Sequence, residues 1–289
     1  MPTVISVANM KGGVGKTTLC VNLAFTLFML SKRVLVVDND PQFNATTALM
    51  KAQYYMMECL KNDKYLTIYD IYEKPPRVGH VPKKNVDPAR FFIERWHMIR
   101  DPSISLDLIA SRLELYETLR NPSQKEYRLD KFLKKSAQEY DYIFIDCPPT
   151  PSVLTLSAFG ASDYVIIPVT LDYFASLGLP QFMATLHDFK ADLIDEHDVQ
   201  VLGVVFSNVP RKPTPETKHA IEQINTTLNE LDQPVNVFTS RLSHLRVFEK
   251  ALWQSNPVQK ISGRGVRGKS EATRELRALA TEIEDRIGN

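Results

Sequence analysis

The chain has 289 residues, 44% of them hydrophobic and 24% charged, with a net charge of +1 at pH 7. This suits one large α/β domain, with or without an insertion, and so neutral a balance makes no bulk demand for nucleic acid as a partner. Three cysteines without paired spacing (Cys20, Cys59, Cys147) exclude a disulfide scaffold or zinc site and fit a reducing compartment, and no signal peptide or apolar run of about 18 residues is visible, which implies a soluble cytoplasmic protein without a membrane partner.

In chain order, Val4–Ala8 is a short apolar run that reads as a buried strand. Lys11-Gly12-Gly13-Val14-Gly15-Lys16-Thr17-Thr18 follows, and Leu19, Leu23, Leu27 and Leu30 then recur at helical spacing. Strand, glycine-rich turn and helix are the context of a phosphate-binding P-loop. The motif departs from the strict pattern, because Met10 stands where the first glycine belongs. The physics survives the change. Glycines let backbone N–H groups turn inward as a nest for phosphate oxygens, and the helix start adds its positive dipole end. Gly12, Gly13, Val14, Gly15 and Thr18 are therefore candidate nucleotide contacts. Lys16 is placed to reach the β- and γ-phosphates of ATP, and the Thr17 hydroxyl to bind Mg²⁺.

Val34–Val37 ends in Asp38 and Asp40, and Tyr142–Ile145 ends in Asp146. Carboxylates at the carboxyl ends of parallel strands point into the crevice where open α/β sheets bind ligands, and a magnesium ion with an attacking water needs such groups. Further strand-like runs fall near 105–110, 163–169, 201–207 and 235–238. Helical segments separate most of them, so the fold class is α/β, a doubly wound, mostly parallel sheet flanked by helices. Residues 74–103 interrupt the pattern with five prolines among Lys and Arg residues, and are read as a surface insertion with a short helix near Phe91–Ile99. The six histidines (His80, His97, His187, His197, His219, His244) are scattered and none is given a catalytic role.

These motifs resemble the ParA/MinD family of deviant-Walker ATPases, most closely the ParA partition proteins. Asp38-Asn39-Asp40-Pro41-Gln42 with Asn44-Ala45-Thr46 is similar to the ParA segment Asp-x-Asp-Pro-Gln-Gly-Asn-Ala-Thr, with Phe43 where that family usually has glycine. Val165–Val169 with Asp172-Tyr173-Phe174-Ala175 and Gly178 resembles the family's next strand and loop, and Val204–Pro210 the strand that ends near the adenine. The resemblance implies that Lys11 is the "signature lysine", which reaches across an ATP-sandwich homodimer to phosphates held by the partner. It implies that Asp40 orients the attacking water, Asp38 supports the magnesium shell and Asp146 is the Walker B carboxylate. Asn208 is placed either to meet the adenine or to shape a turn. The match spans most of the chain, implying a single domain over 1–289.

The tail carries Lys260, Arg264, Arg267 and Lys269 in an acid-free, glycine-punctuated stretch before a helix over about 270–287. Such cations suit phosphate contacts without base reading, so Arg264, Arg267 and Lys269 are candidate DNA contacts. The tail ends acidic and without aromatic residues, unlike the basic amphipathic helix of MinD-like membrane binding. Cys147 lacks the companion cysteine that iron–sulfur relatives need, and is read as a packed small residue. A chain starting at the P-loop strand, without a preceding helix-turn-helix, argues against a ParA that represses its own operon. The resemblance thus implies a slow, adaptor-stimulated ATPase. It would position plasmid DNA, a chromosome or a protein organelle such as a carboxysome on the nucleoid, with a ParB-like or other adaptor. The alternative is a metabolic ATP-dependent ligase or amidase of the same P-loop superfamily.

Overall fold

Four five-residue strands organise the middle of the molecule: β1 (Thr3–Val7), β2 (Val34–Asp38), β4 (Ser105–Ile109) and β5 (Tyr142–Asp146). Nearly every residue in them is buried, as expected where helices cover both faces of a parallel sheet. With β3 (Ile93–His97), β6 (Tyr164–Thr170) and β7 (Gln200–Ser207) they form one seven-stranded sheet of order β3-β4-β2-β5-β1-β6-β7. All neighbours are parallel except β3, which runs antiparallel to β4 at the edge. These facts come from a computed structural model that describes residues 1–62, 64–73, 87–192, 198–231, 234–262 and 266–288.

The described helices are α1 (Lys16–Met29), α2 (Asn44–Leu49), α3 (Ala52–Tyr55), α4 (Ile68–Tyr72), α5 (Tyr116–Arg120), α6 (Arg128–Ser136), α7 (Val153–Gly160), α8 (Tyr173–Asp192), α9 (Pro215–Asn229), α10 (Arg246–Trp253) and α11 (Lys269–Gly288). Side chains alternate across each strand, and this two-residue period divides the core. Val4, Leu35, Val37, Ile143 and Ile145 pack with Leu154, Phe159 and Phe182 on one face. Ile5, Val7, Val34, Val36 and Phe144 pack with Leu19, Leu23 and Leu27 of α1 and with Leu276, Leu279 and Ile283 of α11 on the other. α1 is apolar almost all round because it is sandwiched between the sheet and α11.

Two expectations need correction. The short helix expected near Phe91–Ile99 is instead a 3₁₀ turn, Pro88–Phe91, followed by strand β3. Tertiary packing decides it: Ile93 is fully buried and the Trp96 ring meets Phe25 of α1 edge-on at 5.4 Å. The run at 235–238 is not a full strand, but bridges β7 through Val204 and Val237 alone. Phe238 N–H still bonds Val204 O at 2.8 Å, but the next two N–H groups, of Thr239 and Ser240, go to the Glu282 carboxylate, each at 2.8 Å. Of the Pro-rich insertion, residues 74–86 lie outside the described residues, with Lys83 and Lys84 among them.

β7 carries one irregularity with a clear cause. Its pairing with β6 shifts register between Val165 and Ile166, so Leu202 is an extra residue and Gly203 takes φ +153°. The bulge lets α11 plug in. Arg286 donates to Leu202 O at 2.9 Å and to Val237 O at 2.8 Å, and its guanidinium lies 3.8 Å from the Phe238 ring centre.

Candidate functional site

The site grows from the carboxyl ends of three adjacent strands, β2, β5 and β1. Asp38 and Asp146 lie directly opposite each other in the register, as do Val7 and Asp146, so strand pairing alone brings the two carboxylates side by side below the loop that follows β1. That loop holds Gly13 at φ +75° and Gly15 at φ +86°, left-handed conformations that glycine adopts without a Cβ penalty. Gly15 is the residue before α1, so the helix begins at Lys16 with its N–H end facing the loop.

Neighbouring elements fix the loop at three points. Asn9 accepts from Lys11 N–H at 2.9 Å and donates from its amide to Pro168 O in β6 at 2.8 Å. Ser207, at the end of β7, donates its hydroxyl to Val14 O at 2.6 Å. Lys16 is only 7% exposed and its ammonium donates back to Lys11 O at 2.9 Å. Burial lowers its pKa, and Asp146 is the chief charge opposing that shift. An ammonium so placed, with the Asp146 carboxylate nearby and beside a loop of left-handed glycines, is suited to a phosphate. Lys11 turns the other way: its ammonium pairs with Asp172, in the loop after β6, at 2.5 Å, with both side chains 36% exposed.

The carboxylates differ in their surroundings. Asp38 is fully buried and receives Thr46 N–H and Thr46 O–H, both at 2.7 Å, and Asp40 N–H at 3.3 Å. Burial nonetheless pushes its pKa up to about 7, against those hydrogen bonds. Asp146 is 1% exposed, and burial followed by the charge of Asp38 drives its pKa well above the ordinary value. One oxygen of Asp146 accepts the Thr17 hydroxyl at 2.7 Å; the other, Oδ1, is buried with no hydrogen-bond partner. Two buried carboxyl groups, one with an orphaned oxygen, and an adjacent threonine hydroxyl are oxygen ligands of the kind a hard divalent cation takes, and a bound cation would favour their ionised form, so these residues fit Mg²⁺. Asp40 is 6% exposed; its Oδ1 accepts Gln42 N–H at 2.8 Å, and burial raises its pKa.

Beside the P-loop opens a cleft of about 260 Å³ lined by Gly13, Gly15, Thr18, Asn208, His244 and Leu245, among others. Asn208, at φ +57°, bonds the His244 ring through its side-chain oxygen. The far wall is held by α11: Glu275 receives Ser243 N–H at 2.9 Å and Ser243 O–H at 2.5 Å, while Glu282 receives the two N–H groups described above. Among the proposed DNA contacts, Arg267 is exposed, Lys269 donates to Ile261 O at 2.8 Å, and Arg264 lies outside the described residues.

Thus Lys11, Lys16, Thr17, Asp38, Asp40 and Asp146 gather at one end of the sheet, with Asn208 on the rim of the adjoining cleft. Sequence reasoning passed over Asn9, Thr46, Ser207 and Glu275. The last two carry no motif, because their partners are some 193 and 32 residues away in the chain.

A family model described as an AAA domain matches residues 2–199. The sporulation initiation inhibitor protein Soj of Bacillus subtilis is 36% identical over 210 residues, covering 72% of this chain and 73% of Soj. The chromosome partitioning protein ParA of Myxococcus xanthus is 35% identical over 208 residues, covering 71% of this chain and 64% of that protein. The chain belongs to the ParA family of P-loop ATPases. Its fold is shared more widely. A Cyanothece McdA–ATP complex superposes with TM-score 0.72 at 18% identity, over 99% of this chain and 96% of that one. Cobyrinic acid a,c-diamide synthase from Mycobacterium smegmatis, with bound ADP and magnesium, gives 0.71 at 22% identity, over 100% and 97%. At these identities the likeness is one of fold, and it embraces both an ATP-bound McdA and a diamide synthase.

Proposed function

We propose that this ParA-family member is an ATP-driven dimerising switch that positions a cargo on DNA through an adaptor protein, working as a single domain. The observation that carries the reading is the opposed setting of two lysines in one loop: Lys16 folded inward over the carboxylates, Lys11 turned outward to Asp172. An inward lysine serves the phosphates of its own chain. An outward lysine, five residues earlier, is suited to a nucleotide held by a second copy.

In this mechanism ATP enters along the cleft, its base beside Asn208 and His244 and its phosphates in the nest of Gly12–Thr18. Lys16 exchanges Lys11 O for β- and γ-phosphate oxygens, which restores solvation-like contacts to a buried ammonium. Thr17, Asp38 and Asp146 would hold Mg²⁺, which would offset phosphate charge. Asp40 accepts a hydrogen bond from the attacking water and fixes it in line with the bond to be broken. Lys11 leaves Asp172 and offsets charge developing on the phosphoryl group in the partner, as an arginine finger does. Hydrolysis then depends on dimerisation, and release of phosphate loosens the dimer.

The discriminating experiment uses three variants. Lys16→Ala is expected to lose ATP binding by calorimetry. Asp40→Ala is expected to bind ATP, dimerise in light scattering and stall. Lys11→Ala is expected to keep measurable binding and lose turnover; hydrolysis at the wild-type rate by this variant would refute the trans-lysine mechanism. A biosynthetic amide ligase, the reading suggested by the diamide synthase fold, requires an acid substrate and a nitrogen donor for turnover. ATP hydrolysis by the purified chain without either favours the switch.

A further inference from the structure

The backbone between Asp40 and α2 is held in an unusual way. Phe43 sits at φ +46°, ψ +39°, the left-handed region that disfavours residues with a Cβ. Its N–H donates to Asp40 O at 2.9 Å, closing a turn of four residues around Pro41 and Gln42. Such a conformation persists only where surroundings over-determine it. Those surroundings are specific. The Phe43 ring stacks on Tyr55, with centroids 5.8 Å apart and planes inclined by 17°. Tyr55, the last residue of α3, is 5% exposed and donates its hydroxyl to Ser111 O at 2.9 Å. Ser111, just past β4 and fully buried, donates its hydroxyl to Asp40 O at 2.8 Å.

The contacts close on themselves: Asp40 to Phe43, Phe43 to Tyr55, Tyr55 to Ser111, Ser111 back to Asp40. A second bond ties the same ring to the neighbouring carboxylate, since Ser111 N–H donates to Thr46 Oγ1 at 2.9 Å and Thr46 bonds Asp38. We propose that Phe43, Tyr55 and Ser111 form a clasp that sets the position of Asp40, which makes Phe43 and Tyr55 positioning residues for hydrolysis. The proposal rests on the reading of Asp40 given above. A glycine at 43 relieves the backbone but leaves the turn without the ring that ties it to α3; this chain accepts the strained backbone and fastens the turn from outside.

The clasp's two aromatic rings touch none of the residues assigned to ATP, and reach the Mg²⁺-holding Asp38 only through Ser111 and Thr46, so replacing the rings separates turnover from binding. Phe43→Leu and Tyr55→Leu are each expected to lower kcat roughly tenfold to a hundredfold, the scale of a small misplacement of a reacting group. ATP affinity by calorimetry is expected to stay within about twofold of wild type for both; Tyr55→Leu, which loses a buried ring and its bond to Ser111 O, is expected to melt lower, and Phe43→Leu to lose far less. The double variant is expected to be no slower than the slower single one, because the ring opens once. Phe43→Tyr, which keeps the ring, is expected to retain wild-type kcat. Asp40→Ala is the control. If it is inactive while both leucine variants turn over normally, the clasp is overturned and the ATPase reading stands. If it hydrolyses ATP at the wild-type rate, the assigned role of Asp40 falls and the clasp with it. Losses that multiply in the double variant, or a fall in affinity parallel to that in kcat, also overturn the proposal. Should Tyr55→Leu fail to fold, the contrast between Phe43→Leu and Phe43→Tyr decides alone.

Discussion

Asp146 shows how one residue is held at a stability cost for the sake of a site. Its carboxylate is buried against Asp38, and its Oδ1 lacks any hydrogen bond. Burial, then Asp38, raises its pKa, so the folded chain holds this proton more tightly than the unfolded one. The cost of ionising it in the fold therefore begins as pH rises past the ordinary value of 3.8 and is complete above the raised one. Asp146→Asn keeps an oxygen for Thr17 and removes the charge. The expected outcome is a nucleotide-free protein more stable by about 1–2 kcal/mol at pH 8, with the gain shrinking toward pH 4, and with Mg²⁺-dependent hydrolysis lost. Denaturant unfolding at the two pH values, beside an ATPase assay, checks both halves. Equal stability at pH 8 counts against the buried-charge account.

Among the elements, α11 has the role least evident from its composition. Its apolar stripe seals α1 against the sheet, while Glu275, Glu282 and Arg286 on its flank fasten the 239–243 segment and the β7 bulge. That segment lines the cleft beside the P-loop through Leu242, Ser243 and His244. Glu275→Ala removes an acceptor from two donors of Ser243. Hydrogen bonds to charged groups are worth about 1.5–3 kcal/mol each, and a fraction of that passes to the cleft, so ATP affinity should weaken by roughly threefold to tenfold with kcat unchanged in saturating ATP. Titration calorimetry with steady-state kinetics checks this; an unchanged affinity separates α11 from the cleft. At the bulge, a Cβ on Gly203 would stand 2.8 Å from Asn236 O and 2.6 Å from the Arg286 guanidinium. Gly203→Ala is therefore expected to destabilise the fold by about 2–4 kcal/mol, overpacking adding to backbone strain. A melting temperature equal to wild type would contradict that.

For the whole molecule the proposed switch makes the relevant quantity the charge that pairing would bring together. A chain of net charge +1 has little attraction for DNA by itself. In the proposed dimer two copies would double the exposed Arg267, just before α11, and would bring together two copies of Arg264. DNA affinity is thus expected to appear with ATP, vanish with ADP, ignore base sequence, and fall with salt at a log–log slope near −0.9 per phosphate neutralised. Arg264→Ala with Arg267→Ala should flatten that slope by roughly one unit for each phosphate left without its arginine, and should spare ATPase activity. Lys269→Ala should act chiefly on the fold, because its ammonium is engaged with Ile261 O. Fluorescence anisotropy on two unrelated duplexes, at two salt concentrations and with each nucleotide, tests the set. Affinity that ignores nucleotide would sink the switch.

The sequence by itself determined the parts whose physics is local. Three glycines before Lys-Thr-Thr, between a strand and a helix, permit the left-handed turns that Gly13 and Gly15 take. Apolar runs ending in Asp38 and Asp146 place carboxylates at strand ends, since a parallel strand that is buried on both faces becomes polar where it leaves the sheet. The family was legible for the same reason, as its motifs are contiguous. Tertiary structure decided what depends on partners distant in the chain. Residues 93–97 became an edge strand because Trp96 and Ile93 found α1 and β4, and 235–238 failed to become one because Glu282 took its next donors. Phe43 reads in sequence as a departure from glycine; only folding brings Tyr55 and Ser111 round to hold the turn at Asp40. Lys11 is equally a loop lysine until β6 delivers Asp172. A motif specifies which groups are present, whereas their direction and partners follow from packing, which no window of neighbouring residues contains.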